Sequence, residues 1–312
     1  MQKIEFYFPS CDEIHDIHAV VWKPEGKVRA IVQISHGMIE YINRYEEVAE
    51  FLTARGILVA GNDHLGHGQS VISETEWGFV GSGDAGGKMV KDLHTLSVKL
   101  RKENPDVPFF LIGHSMGSFL ARRYAMTYGR EMAGAVFIGT GNQPSALVAL
   151  GRGIVELIGI LFGEYFRSKS VNHLMFGLYN RHFKPNRTPY DWLSRNNENV
   201  DKYRKDKACT FLFTANGYKM LFSTIAFIEK PANITLIPAN LPILFLSGEE
   251  DPVGNYGKGV RQAYSLYKKK GIKDVSIKLY PEARHEILNE INRSEVYEYL
   301  YQWLNKRITA HK

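Results

Sequence analysis

Gly113-His114-Ser115-Met116-Gly117 stands between the apolar run Phe109-Phe110-Leu111-Ile112 and the segment Ser118-Phe119-Leu120-Ala121-Arg122-Arg123-Tyr124-Ala125. That order reads as a buried strand, a sharp turn and a helix, the context a G-x-S-x-G nucleophile elbow requires. Gly113 and Gly117 are needed because such a turn is strained and brings backbone close to its neighbours, where a Cβ would intrude. The turn presents Ser115 Oγ at the end of a sheet, with the first amides of a helix behind it.

On either side of the elbow, strands alternate with helices. Lys3 to Phe8 and His18 to Trp22 read as a short antiparallel pair, followed by buried strands at Ala30 to Ser35 and Ile57 to Ala60. Arg44 to Arg55 has helical spacing through Tyr45, Val48, Ala49 and Leu52 and stops at Gly56. Lys88 to Lys102 reads as an amphipathic helix through Val90, Leu93, Leu96, Val98 and Leu100. After the elbow helix, which runs to about Tyr128, strands are expected at Gly134 to Ile138, Pro242 to Ser247 and Val275 to Tyr280. Helices are expected at Tyr256 to Lys270 and Ile291 to Arg307. The alternation implies a mostly parallel sheet with right-handed crossovers. Residues 142 to about 236 interrupt it with helices and loops. They read as an insertion at the carboxyl end of the sheet, where α/β proteins place their sites.

A serine hydroxyl is a poor nucleophile at neutral pH and needs a base, which in turn needs an orienting carboxylate. Two late strands are followed by candidates in the chain order such a triad uses. Gly248-Glu249-Glu250-Asp251-Pro252-Val253-Gly254 supplies the acid. Asp251 is preferred because the loop must first travel outward from the strand end; Glu249 and Glu250 are the alternatives. Pro281-Glu282-Ala283-Arg284-His285-Glu286 supplies His285 as the base, the other histidine beyond the acid being His311 in the tail. Negative charge built on a carbonyl oxygen needs amide donors, each worth roughly 3–4 kcal/mol. The residue after the nucleophile, Met116, offers one. The loop His36-Gly37-Met38-Ile39-Glu40 offers the other, with Met38 as the donor and Gly37 allowing close approach. Asp63-His64-Leu65-Gly66-His67-Gly68 could be taken for zinc ligands, but no later cluster matches it. It reads better as a tight loop bracing the His36 loop.

Composition is that of a folded globular chain: 312 residues, 44% hydrophobic and 23% charged. The formal charge of +6 contains no Lys/Arg block beyond Lys268-Lys269-Lys270, read as a solvated helix end, so no nucleic-acid partner is expected. Cys11 and Cys209 alone give neither a disulfide framework nor zinc spacing. The stretch Met1 to Phe8 lacks a basic segment followed by an apolar one, so a cytoplasmic location is expected.

Four motifs now agree in order: His36-Gly-x-x-Glu40-x-x-x-Arg44-Tyr45, Asp63-His64-x-Gly66-His67-Gly68-x-Ser70, Gly113-His-Ser-Met-Gly117, and the pair Asp251 and His285. Over Val20 to Leu304 the chain resembles the monoacylglycerol lipase and lysophospholipase branch of the α/β-hydrolases, often labelled the serine aminopeptidase S33 type. The resemblance implies an α/β-hydrolase fold: a mostly parallel eight-stranded sheet with helices on both faces and an inserted helical cap. The core would be residues 1–142 and 238–312, and the cap residues 143–237. It also implies hydrolysis of a small-molecule acyl ester through an acyl-enzyme, without a cofactor or metal. Ser115 would be the nucleophile, Asp251 the acid, His285 the base and Met38 and Met116 the oxyanion amides. His36, Gly37, Gly113, His114 and Gly117 would support them. Two positions depart from the pattern: Tyr41 stands where lipase members commonly have a histidine, and Asp251-Pro252-Val253-Gly254 differs from the eukaryotic form.

Single-chain lipid esters are the expected substrates. A peptidase removing N-terminal residues, with Glu164 or Glu198 holding the amine, and a short-chain carboxylesterase are the enzymatic alternatives. A catalytically silent ligand receptor would need a damaged triad, and none is visible. The segment Ala146 to Phe162 is apolar enough to suggest a membrane span, yet it carries Arg152 and Glu156 and is short. It reads as a cap helix packed into the core or, alternatively, as an amphipathic lid that lines an acyl pocket or meets lipid surfaces. Aromatics such as Phe176, Tyr179, Trp192, Phe211, Phe213 and Tyr218 recur through the insertion and suit an apolar ligand.

Overall fold

The computed structural model describes residues 1–310. Its strands are β1 (Gln2–Pro9), β2 (Asp16–Lys23), β3 (Ala30–Ser35), β4 (Ile57–Asn62), β5 (Phe109–His114), β6 (Gly134–Ile138), β7 (Ile243–Gly248) and β8 (Val275–Tyr280). They form one eight-stranded sheet in the order β1-β2-β4-β3-β5-β6-β7-β8. β2 pairs antiparallel with β1 and β4, and every other neighbouring pair is parallel. The helices are α1 (Glu46–Thr53), α2 (Ala85–Glu103), α3 (Met116–Tyr128), α4 (Ser145–Phe162), α5 (Lys169–Phe176), α6 (Asn197–Lys205), α7 (Ala215–Ile228), α8 (Pro231–Ile234), α9 (Lys258–Lys269) and α10 (Arg293–Ala310).

The central strands read as continuous apolar runs because helices cover both faces. Side chains alternate across β5: Phe109 and Leu111 join the core formed with α2, α3 and α9, while Phe110 and Ile112 join the one formed with α1 and α10. This is the α/β-hydrolase architecture read from the sequence, and it puts the β3, β5, β6, β7 and β8 exits at one end.

Some local expectations shift. The Arg44–Arg55 helix divides into a 3-10 turn at Ile42–Tyr45 and α1, and Gly56 closes it with φ +78°. α2 begins at Ala85, where the Asp84 carboxylate accepts the Gly87 amide. Val98 is exposed: the buried stripe runs through Met89, Val90, Leu93, Leu96 and Leu100, and Val98 falls off it.

Between β6 and β7 the chain forms α4 to α8 and no strand. α4 reaches the core through one face only. Val148 and Val155 are its buried residues, and Gly151 lies against the Phe222 ring of α7, a stripe one residue wide. Leu147, Leu150, Leu157, Leu161 and Phe162 are exposed, and Ile160 is 81% exposed. Arg152 and Glu156, one helical turn apart, pair on the exposed side of α4. α7 is the principal neighbour of α4 and covers one stripe. By length and composition α4 is the one helix among the described residues suited to cross a membrane, with mean hydropathy 1.9.

Candidate active site

The elbow takes its shape from three observations. Ser115 sits at φ +52°, ψ −123°, a left-handed conformation strained for a residue with a Cβ, and its amide is held by Ile138 O at 2.9 Å. The glycines serve close approach and have negative φ: a Cβ on Gly117 would strike Ser35 O and His36 O, and one on Gly113 would strike Gly117 O. Strain therefore rests on the serine and crowding on its flanks. The Ser115 side chain makes no capping bond to α3, and its residue is half-buried.

β7 and β8 bring the second and third residues in. The Asp251 carboxylate is buried, accepts the Val253 amide at 2.9 Å and the Ser247 hydroxyl at 3.2 Å, and receives His285 Nδ1–H at 3.0 Å from both oxygens. Glu249 and Glu250 are engaged elsewhere, with Arg261 and His182. The bond fixes the His285 tautomer, leaving Nε2 without a partner among the described residues. Gly139, at φ +56°, lets the end of β6 pass beneath the imidazole: a Cβ there would lie 3.0 Å from His285 Cε1. His311 lies outside the described residues.

The Met38 and Met116 amides make no backbone hydrogen bond among the described residues. Met116 is the first residue of α3, where amides have no intrahelical acceptor. The neighbouring Ile39 takes φ +57°, turning the loop after β3 toward the elbow, and Gly37 lies close enough that a Cβ would be 3.1 Å from Ser115 Cβ.

Behind these residues lies a buried polar lattice. His36 Nδ1–H donates to Gly37 O at 2.8 Å and its Nε2 accepts the His64 amide at 2.9 Å, so the Asp63–Gly68 loop braces the His36 loop as read from the sequence. Burial holds His36 and His64 below the ordinary histidine range and pushes His67 down to about 3, so all three are neutral. No metal-binding cluster occurs among the described residues.

His114 Nδ1 meets Glu40 Oε1 at 3.0 Å, and its ring lies 4.8 Å from that of His285. Burial alone would depress His114, but the Glu40 hydrogen bond and charge outweigh it and raise the imidazole. Burial would raise Glu40, yet His114 and Arg44 together hold it well below the usual carboxylate range.

Three residues escaped the sequence reading. Glu286 is a buried carboxylate forked by Arg44, with Nη1–Oε1 at 2.9 Å and Nη2–Oε2 at 2.8 Å. Trp192, from the insertion, lies 5.2 Å from the His285 ring, and its carbonyl accepts the His285 amide. Gly139 is the third. Their signals were faint: a second carboxylate beside the base, one aromatic among many, and a glycine after a strand. Tyr41, the departure noted above, donates its hydroxyl to Asp206 at 2.7 Å and ties the His36 loop to the insertion.

The chain matches the family described as serine aminopeptidase S33 over residues 26–292. It is 31% identical to mouse (Mus musculus) monoglyceride lipase across 93% of this chain and 86% of that protein. It is 25% identical to Mycolicibacterium smegmatis monoacylglycerol lipase across 91% of each. A thermostable carboxyl esterase from Bacillus coagulans, solved with glycerol, superimposes with a TM-score of 0.91 at 29% identity, across 99% of both chains. The chain therefore belongs to the serine aminopeptidase S33 family, in the monoglyceride lipase-like branch of the α/β-hydrolases.

Proposed function

We propose that this carboxylic-ester hydrolase acts on single-chain lipid esters, monoacylglycerols or lysophospholipids, through an acyl-enzyme on Ser115. His285 Nε2 takes the Ser115 proton as Oγ attacks the ester carbonyl. The Asp251 carboxylate holds the ring and offsets the imidazolium charge, and the Met38 and Met116 amides receive the oxyanion. His285 then protonates the departing alcohol, and water, deprotonated by His285, releases the fatty acid. The observation that carries the chemistry is the buried His285–Asp251 pair, its imidazole 4.8 Å from the ring of His114, next in the chain to a serine at φ +52° whose side chain does not cap α3.

Residues 143–237 act as the cap, and their surface supports the lipid part. They hold 13 Lys/Arg against 7 Asp/Glu, so the whole +6 of the chain, 39 against 33, belongs to them and the remainder is neutral at 26 against 26. A basic segment that exposes the apolar side of α4 suits peripheral contact with a lipid surface. Phe176, Tyr179 and Trp192 cluster beside His285 and offer an apolar wall for an acyl chain. The peptidase alternative draws no support from its two carboxylates: Glu198 pairs with Lys202 and Glu164 with Lys219.

The test is hydrolysis of 1-monoacylglycerols and lysophosphatidylcholines from C4 to C18, with Ser115→Ala as control. Rates peaking at medium or long chains, absent in the variant, are expected. Turnover confined to the shortest acyl groups would replace the lipid reading with a small-ester one. Full turnover by Ser115→Ala would overturn the mechanism.

A further inference from the structure

The loop that carries the base and the loop that carries the second oxyanion amide come from opposite ends of the chain, yet one set of charge-assisted bonds joins them. Glu40 Oε1 accepts the Gly37 amide at 2.5 Å, the Tyr45 hydroxyl at 2.8 Å and His114 Nδ1 at 3.0 Å. Its other oxygen accepts Arg44 Nη1 at 2.7 Å, and the same guanidinium forks Glu286, 242 residues away. Glu286 follows His285 directly. Its amide donates to Leu193 O at 2.7 Å, and its carboxylate also accepts Asn199 Nδ2 at 2.7 Å and Asn289 Nδ2 at 3.1 Å. The Tyr203 ring of α6 lies 4.9 Å from the guanidinium, and its hydroxyl donates to Ile39 O at 3.0 Å. Glu40 and Glu286 are both buried, so water does not compete for these bonds.

We propose that Glu286 is a positioning residue: through Arg44 and Glu40 it fixes the His285 loop in register with the Gly37–Met38 loop, and through Asn199 it makes that register depend on the insertion. The proposal rests on reading Ser115 as nucleophile, His285 as base and the Met38 amide as oxyanion donor. A planar fork fixes both distance and orientation, which a single charge pair does not. The ground-state ester needs neither loop in final register. The transition state needs both, because the oxyanion and the transferred proton lie on opposite sides of the reacting carbon. Loss of register therefore falls on kcat and leaves substrate binding largely alone.

The experiment compares Glu286→Gln, Arg44→Lys and Asn199→Ala with the parent by steady-state hydrolysis of p-nitrophenyl butyrate and by the rate of fluorophosphonate labelling, on protein shown to be folded by its melting temperature. For Glu286→Gln, kcat and the labelling rate should fall together by about ten- to a hundred-fold while KM stays within about two-fold. Arg44→Lys keeps the charge and loses the fork, and should show the same split. Asn199→Ala removes one of four side-chain bonds to Glu286 and should cost several-fold in kcat. A folded Glu286→Gln with parental kcat and labelling rate would overturn the proposal, as would a loss confined to KM. If Glu286→Gln does not fold, an unchanged kcat in Asn199→Ala overturns it. A parent protein that fluorophosphonate does not label would strike the serine-hydrolase mechanism itself, a result separate from any difference between variants.

Discussion

Residues 145–178 and residues 179–209 belong to one excursion between β6 and β7, the first rich in aliphatic and aromatic side chains, the second carrying fewer of them, Trp192, Leu193, Val200 and Tyr203 included, within a strongly charged run. The first stretch turns those side chains outward: Leu150, Ile160, Leu161 and Phe162 on α4 and Leu174 and Leu178 beyond it are all exposed. The second turns them inward and adds polar bonds to the core. Trp192 and Leu193 carbonyls accept the amides of His285 and Glu286, Arg195 forks Glu290 through backbone and guanidinium, and Arg284 reaches Asp191 O. Both stretches keep some apolar side chains buried, Val148, Val155 and Val171 in the first and Trp192, Leu193, Val200 and Tyr203 in the second. Directional bonds separate them: the inner stretch is attached to the His285 loop, whereas the outer one is tied to the core through Arg167, which donates to Thr75 O and Trp77 O, and leaves much of α4 facing solvent. In the reading proposed above, the inner stretch belongs to the chemistry and the outer one to the lipid.

The strongest way to break this comparison is Trp192→Ala. The indole lies against the His285 ring and in a small cluster with Leu193, Tyr203 and Cys209. Its loss should cost about 3 kcal/mol of stability and lower kcat by about ten- to a hundred-fold. Calorimetry and turnover of p-nitrophenyl butyrate measure the two. A kcat within two-fold of the parent would detach the inner stretch from catalysis. The outer stretch should behave in the opposite sense. A Leu150→Ser, Ile160→Ser, Leu161→Ser triple variant removes exposed apolar surface, so its melting point should hardly move, each substitution lying within about 0.5 kcal/mol. The ratio of turnover on vesicle-borne monoacylglycerol to turnover on a soluble short ester should fall about ten-fold, since every buried CH₂ at a lipid interface contributes about 0.8 kcal/mol. An unchanged ratio would leave α4 without a lipid role.

These placements also mark where the sequence stops being informative. The elbow, the strand order and the Asp251–His285 pair were legible because each is written in a local run: an apolar strand, a turn, one polar residue of the right type. The Arg44–Glu286 fork was not, since its partners lie 242 residues apart and neither has a distinctive neighbour pattern. Nor was the orientation of α4. Its apolar residues spread far around the polar pair Arg152 and Glu156, so periodicity singles out no narrow buried face, and the face is decided by the stripe Val148, Gly151 and Val155 that α7 accepts. Val98 shows the same limit on a smaller scale, an apolar residue in a helix that packs through its neighbours.

Where the insertion returns to the core, His67 packs against Phe211 and Phe213 at 5.9 and 5.5 Å. Burial pushes His67 down to about 3. The sign follows directly: the unfolded chain takes up a proton near the ordinary histidine value and the folded one does not. The stability contributed is therefore full above about pH 6.5 and lost progressively as pH falls toward 3. His67→Phe removes that uptake, and with it the hydrogen bond from Nδ1 to Leu65 O. The variant should be about 1 kcal/mol less stable than the parent at pH 7.5. It should then gain on the parent as pH drops below 6.5. Melting curves at half-unit steps of pH that run parallel throughout would refute this account.

Asp92 supplies the opposite sign, on the β1 side of the sheet, away from both stretches of the insertion. Asp92 is 1% exposed; its carboxylate accepts the Ser10 hydroxyl at 2.8 Å and the Cys11 amide at 2.7 Å and is in no ion pair among the described residues. Burial raises it to about 6 against those two bonds. The folded protein therefore holds this proton more tightly than the unfolded chain. The resulting stability is full below about pH 4 and lost as pH rises through about 6. Asp92→Asn keeps the shape and an acceptor for Cys11 N–H but never ionises. It should exceed the parent by about 2 kcal/mol at pH 7, with the difference closing toward pH 4. Because Asp92 makes its hydrogen bonds to Ser10 and Cys11 and none to the His36, Ser115, Asp251 or His285 loops, kcat on any ester should stay within two-fold of the parent. A large kcat change would mean that the β1–β2 turn communicates with the site, and that the division between an inner and an outer stretch leaves out a third participant.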